Sequence, residues 1–363
     1  SEQEVTVVAG EDKTNINFVN YKKGSIKVIK NVDGNGDGDL NDSVDVKGAD
    51  DWKWRLNTTE YSTGTVASNL TPGTYTISEV NKDNYHFVSL ECSGGSSVSI
   101  TGGSAVVNLK SGEDVVCTYT NARNLGKLIV VKNVINDNGG TKSAQEFSFK
   151  IDSENAQSFI GPELDELVGR NEYTRYSGLT HSITEVEANS NGYATTYENC
   201  SDITIPYGGE VTCTITNDDI APSLTLVKSV INDNGGNASN TDLTLTATGP
   251  TSISGTGEAS SGTDFKAGEY TLTESGSVAG YTQGTWSCTG GSLANGNELS
   301  IKIGESSTCT MTNDDVAPGL AVVKNVVNDN GGNAVVGDFG IELNGNGLTF
   351  GEGVLTESTS TTT

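Results

Sequence analysis

Alternation of apolar and polar side chains is the strongest signal in the chain. Successive side chains of a strand point to opposite faces. In Leu224-Thr225-Leu226-Val227-Lys228-Ser229-Val230, the residues Leu224, Leu226, Lys228 and Val230 therefore share one face. The row predicts a strand with a lysine on its apolar side, and the Asn232-Asp233-Asn234-Gly235-Gly236 that follows reads as a polar turn. The same strand occurs four times, with lysines at Lys30, Lys132, Lys228 and Lys324, spaced by 102, 96 and 96 residues. Recurrence at a near-constant period marks an array of repeats. An unpaired ammonium inside a fold costs several kcal/mol, so each of these lysines needs a partner.

Two further strands recur in a fixed order and supply candidates. Gly73-Thr74-Tyr75-Thr76-Ile77-Ser78-Glu79, His181-Ser182-Ile183-Thr184-Glu185 and Gly268-Glu269-Tyr270-Thr271-Leu272-Thr273-Glu274 each place a glutamate on the face of the apolar residues. Cys117-Thr118-Tyr119-Thr120-Asn121, Cys213-Thr214-Ile215-Thr216-Asn217 and Cys309-Thr310-Met311-Thr312-Asn313 do the same for an asparagine. The repeats run over 22–121, 125–217 and 222–313, and a fourth begins at 318. Residues 1–20 read as the end of a repeat, with Ile16, Phe18 and Asn20 inward. About seven short strands per repeat, with turn signals between them, predict small antiparallel β-sandwiches. The fold class is thus all-β, a tandem array of such domains. Linkers of a few residues, each holding one proline (Pro222, Pro318), make a semi-rigid rod.

Composition sharpens this picture. The net charge is −26, from 47 acidic and 21 basic residues, which excludes nucleic acid and anionic lipid as partners and suits a solvated surface or divalent cations. No apolar run is long enough to insert in a membrane. The six cysteines fall two to a complete repeat, Cys92 with Cys117, Cys200 with Cys213, and Cys288 with Cys309. None has metal or redox spacing, and one internal disulfide per repeat places the protein outside the cell, in an oxidising compartment.

The ordered set Val-Val-Lys, Asn-Asp-Asn-Gly-Gly, Gly-Tyr, Leu-Thr-Glu, Cys and Thr-Cys-Thr-x-Thr-Asn resembles the SpaA-like, Cna B-type prealbumin-fold repeats of exported surface proteins and pilins, over essentially the whole chain. The resemblance implies a prealbumin-like or immunoglobulin-like sandwich per repeat and a structural role in a cell-surface filament, pilus-like fibre or stalk. In many such domains a lysine, a glutamate and an asparagine form an intramolecular isopeptide bond. Carried over by position, the sets are Lys30, Glu79, Asn121; Lys132, Glu185, Asn217; and Lys228, Glu274, Asn313. Burial favours the neutral, nucleophilic amine and the protonated carboxyl that this chemistry needs. The alternative is a buried Lys–Glu pair hydrogen-bonded to Asn, without a covalent bond.

Three further expectations follow. Asp33, Asn35, Asp37 and Asp39 alternate through a glycine-rich turn like the opening of a calcium loop, with Asp42 or Asp45 in place of the usual bidentate acid. Asp218-Asp219 and Asp314-Asp315 are candidates to complete cation sites at the repeat junctions. Residues 1–20 of one copy are candidates to complete residues 318–363 of the next, head to tail, with Lys324 and Glu357 meeting the neighbour's Asn20, which builds a filament of copies of the chain; the alternative is that both ends are cut from a longer array of ordinary repeats. An adhesin is the alternative function, binding a cell-surface glycan or protein through the first repeat, where Trp52, Trp54 and Tyr61 cluster. No arrangement for catalysis on an external substrate is present: the two histidines, His86 and His181, lie in different repeats.

Overall fold

The computed structural model describes residues 4–17, 19–94, 97–161 and 165–348, and the backbone of 354–357. Apart from three single-turn 3-10 helices, the regular structure in these residues is β. The chain divides into two compact units, Ser1–Val130 with Asn171–Ile183 and Asn199–Cys213, and Val131–Arg170 with Thr184–Glu198 and Thr214–Thr363; the division runs through the second repeat.

The first unit holds the whole first repeat, which is two sheets packed face to face. One contains the lysine strand Gly24–Asp33, flanked by Val66–Leu70 and by the asparagine strand Asp114–Arg123, with Tyr85–Ser93 beyond. The other contains the glutamate strand Gly73–Glu79 between Lys53–Leu56 and Ser104–Leu109. Every second residue of the lysine strand is buried, as the alternation predicts: Ile26, Val28 and Lys30 are each fully enclosed. The lysine and asparagine strands, first and last in the repeat, run parallel, with Val32 opposite Asn121. A parallel neighbour requires a long crossover, and the intervening strands supply it by forming the second sheet.

The third repeat, inside the second unit, repeats this plan. The lysine strand Ser223–Ile231 pairs parallel with the asparagine strand Ser306–Asp315, Val230 opposite Asn313. The glutamate strand Gly268–Ser275 lies in the other sheet. The cysteines pair as Cys92–Cys117, Cys200–Cys213 and Cys288–Cys309. In the first and third repeats the two cysteines stand directly opposite each other on neighbouring antiparallel strands.

The ends differ from the pattern. Residues 4–17 and 19–23 form no strand, and Ile16 and Val19 are exposed; Phe18 lies outside the described residues. A strand exists only against a ladder partner, and none of the described residues offers one to this segment. In the fourth repeat, Leu320–Val323 pairs with Val354–Glu357, and Ile341–Leu343 with Asn346–Leu348.

Candidate functional site

Three polar clusters sit inside the sandwiches where the strand parity puts them. Lys30, Lys132 and Lys228 have relative exposures of 0, 0 and 3 %, and Asn121, Asn217 and Asn313 of 3, 1 and 6 %. In the first and third repeats, lysine and asparagine project from adjacent parallel strands of one sheet, and the glutamate reaches them from the other. The glutamate bridges the pair in all three clusters. Lys30 Nζ donates to Glu79 Oε1, while Asn121 Nδ2 donates to Glu79 Oε2 at 2.9 Å. Lys132 Nζ donates to Glu185 Oε2 at 2.5 Å and Asn217 Nδ2 to Oε1 at 2.7 Å. Lys228 Nζ donates to Glu274 Oε2 at 3.2 Å and Asn313 Nδ2 to Oε1 at 2.7 Å. All three asparagine Oδ1 atoms are buried without a hydrogen-bond partner. A buried acceptor left unsatisfied costs about 1–3 kcal/mol, and its recurrence in three clusters marks the amide carbonyl as the atom left open.

Burial lowers the lysine pKa values, against the raising effect of the glutamates: to about 8 for Lys30 and for Lys132, and downward for Lys228. Aromatic faces help to enclose two of the amines. Trp52 lies 4.1 Å from Lys30 Nζ, and Phe147 lies 4.4 Å from Lys132 Nζ. The corresponding residue of the third repeat is Leu243, and Lys228 Nζ there also donates to the Met311 carbonyl at 3.3 Å. The role of Trp52 and Phe147 went unread in the sequence; the signal is an aromatic residue two before an apolar strand position, repeated at Phe339.

Lys324, Glu357 and Asn20 are expected to meet only across two copies of the chain. Lys324 Nζ stacks on Phe339 at 4.2 Å, as its counterparts do on Trp52 and Phe147. The strand bearing Glu357 pairs with the lysine strand itself, Glu357 opposite Leu320. That is the place of Glu258–Ser260 in the third repeat, not of its glutamate strand. Glu357 follows Lys324 by 33 residues, against 49, 53 and 46 in the complete repeats. Its side chain lies outside the described residues. Asn20 is exposed.

The acidic loops are built from carboxylate-to-backbone bonds. In the first, Asp33 is buried and accepts from the N–H groups of Gly36 (2.5 Å) and Gly38 (2.8 Å), and Asp45 accepts from Gly34 and Asp42, both at 2.9 Å. Asn35 donates to Asp37 and Asp42, and Asp39 accepts from Asn41. The carboxylates of Asp33 and Asp45 are thus turned onto the loop's own backbone, while Asp37, Asp39 and Asp42 stay exposed.

In the other two repeats the second aspartate of each pair closes the turn after the lysine strand. Asp219 accepts from the N–H groups of Asp137, Asn138 and Gly140, and Asp315 from those of Asp233, Asn234 and Gly236. Tyr193 and Tyr281 brace the same turns through Asn136 and Asn232. Burial works to raise the Asp315 pKa, and the backbone bonds from Gly236 and Asn234 outweigh it, leaving it lowered. The expected cation sites at the junctions are therefore occupied in part by backbone donors. Carboxylate oxygens of Asp137, Asp218 and Asp219, and of Asp233, Asp314 and Asp315, still lie within 4.8 Å of one another.

The two tryptophans of the first repeat's aromatic cluster are core, and Tyr61 is half-buried against Trp54. Trp52 and Trp54 are 3 and 1 % exposed, and Tyr61 stacks on Trp54 with ring centroids 4.9 Å apart. The strand Lys53–Leu56 points Trp54 inward between the two sheets, and its indole N–H finds the Ser62 carbonyl.

Two SpaA-type family models, each described as a prealbumin-like fold domain, match residues 28–123 and 219–311. No curated protein matches the chain. Among solved structures, the Bacillus anthracis TIE protein is 18% identical, covering 82% of this chain and 51% of its own, with a TM-score of 0.48. The chain thus spans about half the length of that protein. The major pilin from Streptococcus pyogenes is 18% identical, covering 53% of this chain and 99% of its own, with a TM-score of 0.28. The shaft pilin SpaA from Lactobacillus rhamnosus GG is 10% identical, covering 55% of this chain and 98% of its own, with a TM-score of 0.22.

Proposed function

The chain belongs to the SpaA-type family of prealbumin-like fold domains, and from that premise we propose that it is a structural subunit of an extracellular filament or stalk whose repeats are stapled by Lys–Asn isopeptide bonds. One observation carries the reading: three buried Lys–Glu–Asn clusters share one geometry, and each leaves the asparagine carbonyl open. In the step proposed, the neutral lysine Nζ attacks asparagine Cγ and a new C–N bond forms. The glutamate accepts the amine proton and delivers it to Nδ2, to which it is already bonded, and that nitrogen leaves as ammonia. Fixed apposition supplies the rate without a separate enzyme.

The disulfides fit the same setting, since they persist in oxidising compartments. No helix among the described residues is long and apolar enough to cross a membrane. Copies of the chain are the partners this role requires. Head-to-tail completion of residues 318–363 by residues 1–20 of a neighbour is the specific assembly expected from sequence, and deleting residues 1–20 tests it: filaments that persist reject it. The adhesin alternative draws less from the first repeat's aromatic residues, since Trp52 and Trp54 are buried and Tyr61 is half-buried. Intact mass tests the central claim. Each bond removes ammonia, about 17 Da, so three bonds lower the mass by three such steps beyond the disulfide hydrogens. A chain at full mass refutes it.

A further inference from the structure

In the first two repeats a second lysine stands on the ring that walls the buried amine. The Trp52 ring carries Lys30 Nζ at 4.1 Å and Lys82 Nζ at 5.0 Å. The Phe147 ring carries Lys132 Nζ at 4.4 Å and Lys142 Nζ at 5.0 Å. A tyrosine meets each ring edge-on, Tyr85 on Trp52 with centroids 5.1 Å apart and Tyr193 on Phe147 at 5.5 Å. The outer lysine lies near that tyrosine too, 5.9 Å from the Tyr85 ring and 6.0 Å from the Tyr193 ring. Inner lysine, ring, tyrosine and outer lysine thus form the same arrangement twice.

The outer lysines reach it from different places in the chain. Lys82 is the third residue after Glu79, where the second repeat has Ala188 after Glu185. Lys142 follows the turn after the lysine strand, and its backbone N–H donates to the Tyr193 hydroxyl at 3.2 Å. The third repeat lacks ring and outer lysine together. Leu243 replaces the ring, and Ser277 is the third residue after Glu274. Ala238 stands in the place of Lys142, its N–H donating to the Tyr281 hydroxyl at 3.0 Å. Among the three complete repeats, then, an outer lysine accompanies an aromatic wall, whichever segment has to supply it.

We propose that Lys82 and Lys142 are positioning residues for the Lys–Asn bond: each holds the aromatic wall in place from outside and disfavours the charged form of the amine within. The inference rests on the isopeptide reading and deepens it. The inner amine attacks only when neutral, yet two neighbours favour its ammonium. One is the bridging glutamate, Glu79 or Glu185. The other is the ring, whose electron-rich face attracts a cation. The remaining rings facing the two amines, Tyr119 and Phe159, each at 5.8 Å, carry no charge, since burial pushes the Tyr119 hydroxyl up. The outer ammonium opposes the glutamate and the ring. Anchored on the same ring, it lies within about 10 Å of the inner nitrogen, about one Debye length at 0.1 M salt. A like charge at that range disfavours protonation. The exposed Asp51 pairs with Lys82 and tempers the effect in the first repeat.

Freshly synthesised full chain, held at stepped pH and mapped by peptide mass, reads the rate of each bond separately, so the unaltered repeats serve as controls. Lys82→Met keeps the length of the side chain and removes its charge. It is expected to move the rate profile of the first repeat up by about half a pH unit, a bond about three-fold slower at pH 7. The second and third repeats stay as they are. Lys142→Met is expected to do the same to the second repeat alone, and Lys82→Arg to keep the original profile. A slowing that is equal at every pH, an unmoved midpoint, or a shift that Lys82→Arg also produces overturns the proposal. The amine gives a second reading that needs no bond. In the full chain with Asn121→Ala, Asn217→Ala and Asn313→Ala, NMR titration of the lysine side chains is expected to place Lys30 about half a pH unit higher when Lys82→Met is added. Equal midpoints there overturn the inference. A shift there, with the parent chain at full mass, refutes the isopeptide reading and supports the charge effect.

Discussion

The first and third repeats share two sheets, a parallel closing strand, one cross-strand disulfide and one Lys–Glu–Asn cluster, yet they differ in how the amine is held. Lys30 faces the Trp52 ring and has no hydrogen-bond acceptor other than Glu79 among those described, and burial brings its pKa to about 8. Lys228 lacks an aromatic face and shares its protons with the Met311 carbonyl as well as Glu274. Desolvation, not the mere presence of a glutamate, separates the two sites. The glutamate favours the ammonium in both; the aromatic wall keeps water and spare acceptors away in one.

The largest effect expected is that of removing the bridging acid. Glu79→Ala and Glu274→Ala each leave a buried ammonium without its counter-ion, a loss of about 3–5 kcal/mol, and each is expected to retain the ammonia that its repeat would otherwise lose. Calorimetry and intact mass of the full chain read both. A greater loss in the third repeat would invert the contrast, since the Met311 carbonyl is there to hold the Lys228 ammonium. Next comes pH. Below its pKa a lysine's neutral fraction rises ten-fold per pH unit, so bond formation in the first two repeats is expected to accelerate up to about pH 8 and then level, as their lysine pKa values direct. Before the bond forms, the unfolded chain holds a proton on Lys30 up to its ordinary pKa of 10.5 while the folded chain releases it near 8, so stability rises with pH across that window. Peptide mapping of freshly synthesised chain at stepped pH checks the rates; equal profiles for Lys30 and Lys228 would erase the difference drawn here.

A smaller effect tests the loops. Asp315→Asn is expected to lower the melting temperature of the third repeat, because its carboxylate no longer holds the backbone N–H groups of Asp233, Asn234 and Gly236. Arg123→Asn, at the equivalent position of the first repeat, is expected to change the melting temperature little, because Asp33 already fills that turn. The smallest effect is calcium's. Millimolar calcium is expected to stabilise the first repeat by about 1 kcal/mol through the exposed Asp37, Asp39 and Asp42, by mass action on the native state. A melt unmoved by calcium or chelator shows a loop closed by its own backbone bonds alone.

Strand parity made the clusters legible, because a period of two leaves little choice about which face Lys30, Glu79 and Asn121 occupy. The cysteine pairs were legible from their even distribution. What remained hidden depends on residues distant in sequence. Asp219 and Asp315 close turns that begin 82 residues earlier, and nothing local distinguishes them from surface acids. The clue is the pairing of the Asn-Asp-Asn-Gly-Gly turn with a later aspartate pair in the second and third repeats, where the first repeat has Asp33 in its turn and Arg123 on its closing strand. Trp52 and Trp54 were read as a possible surface because the alternation of Lys53–Leu56 fixes a face without saying which way it looks. Residues 16–20 alternate as a strand should, but a strand also needs a neighbour.

The parallel pairing of the first and last strands has a mechanical consequence. A module pulled by its two ends is pulled at the start of Ser223–Ile231 and at the finish of Ser306–Asp315, strands that lie side by side and point the same way. Tension then slides one strand along the other and loads the whole ladder at once, instead of peeling it open one rung at a time. A Lys228–Asn313 bond ties the same two strands together. With it in place the load passes from strand to strand through a covalent link, and the 84 residues between those two positions are never stretched.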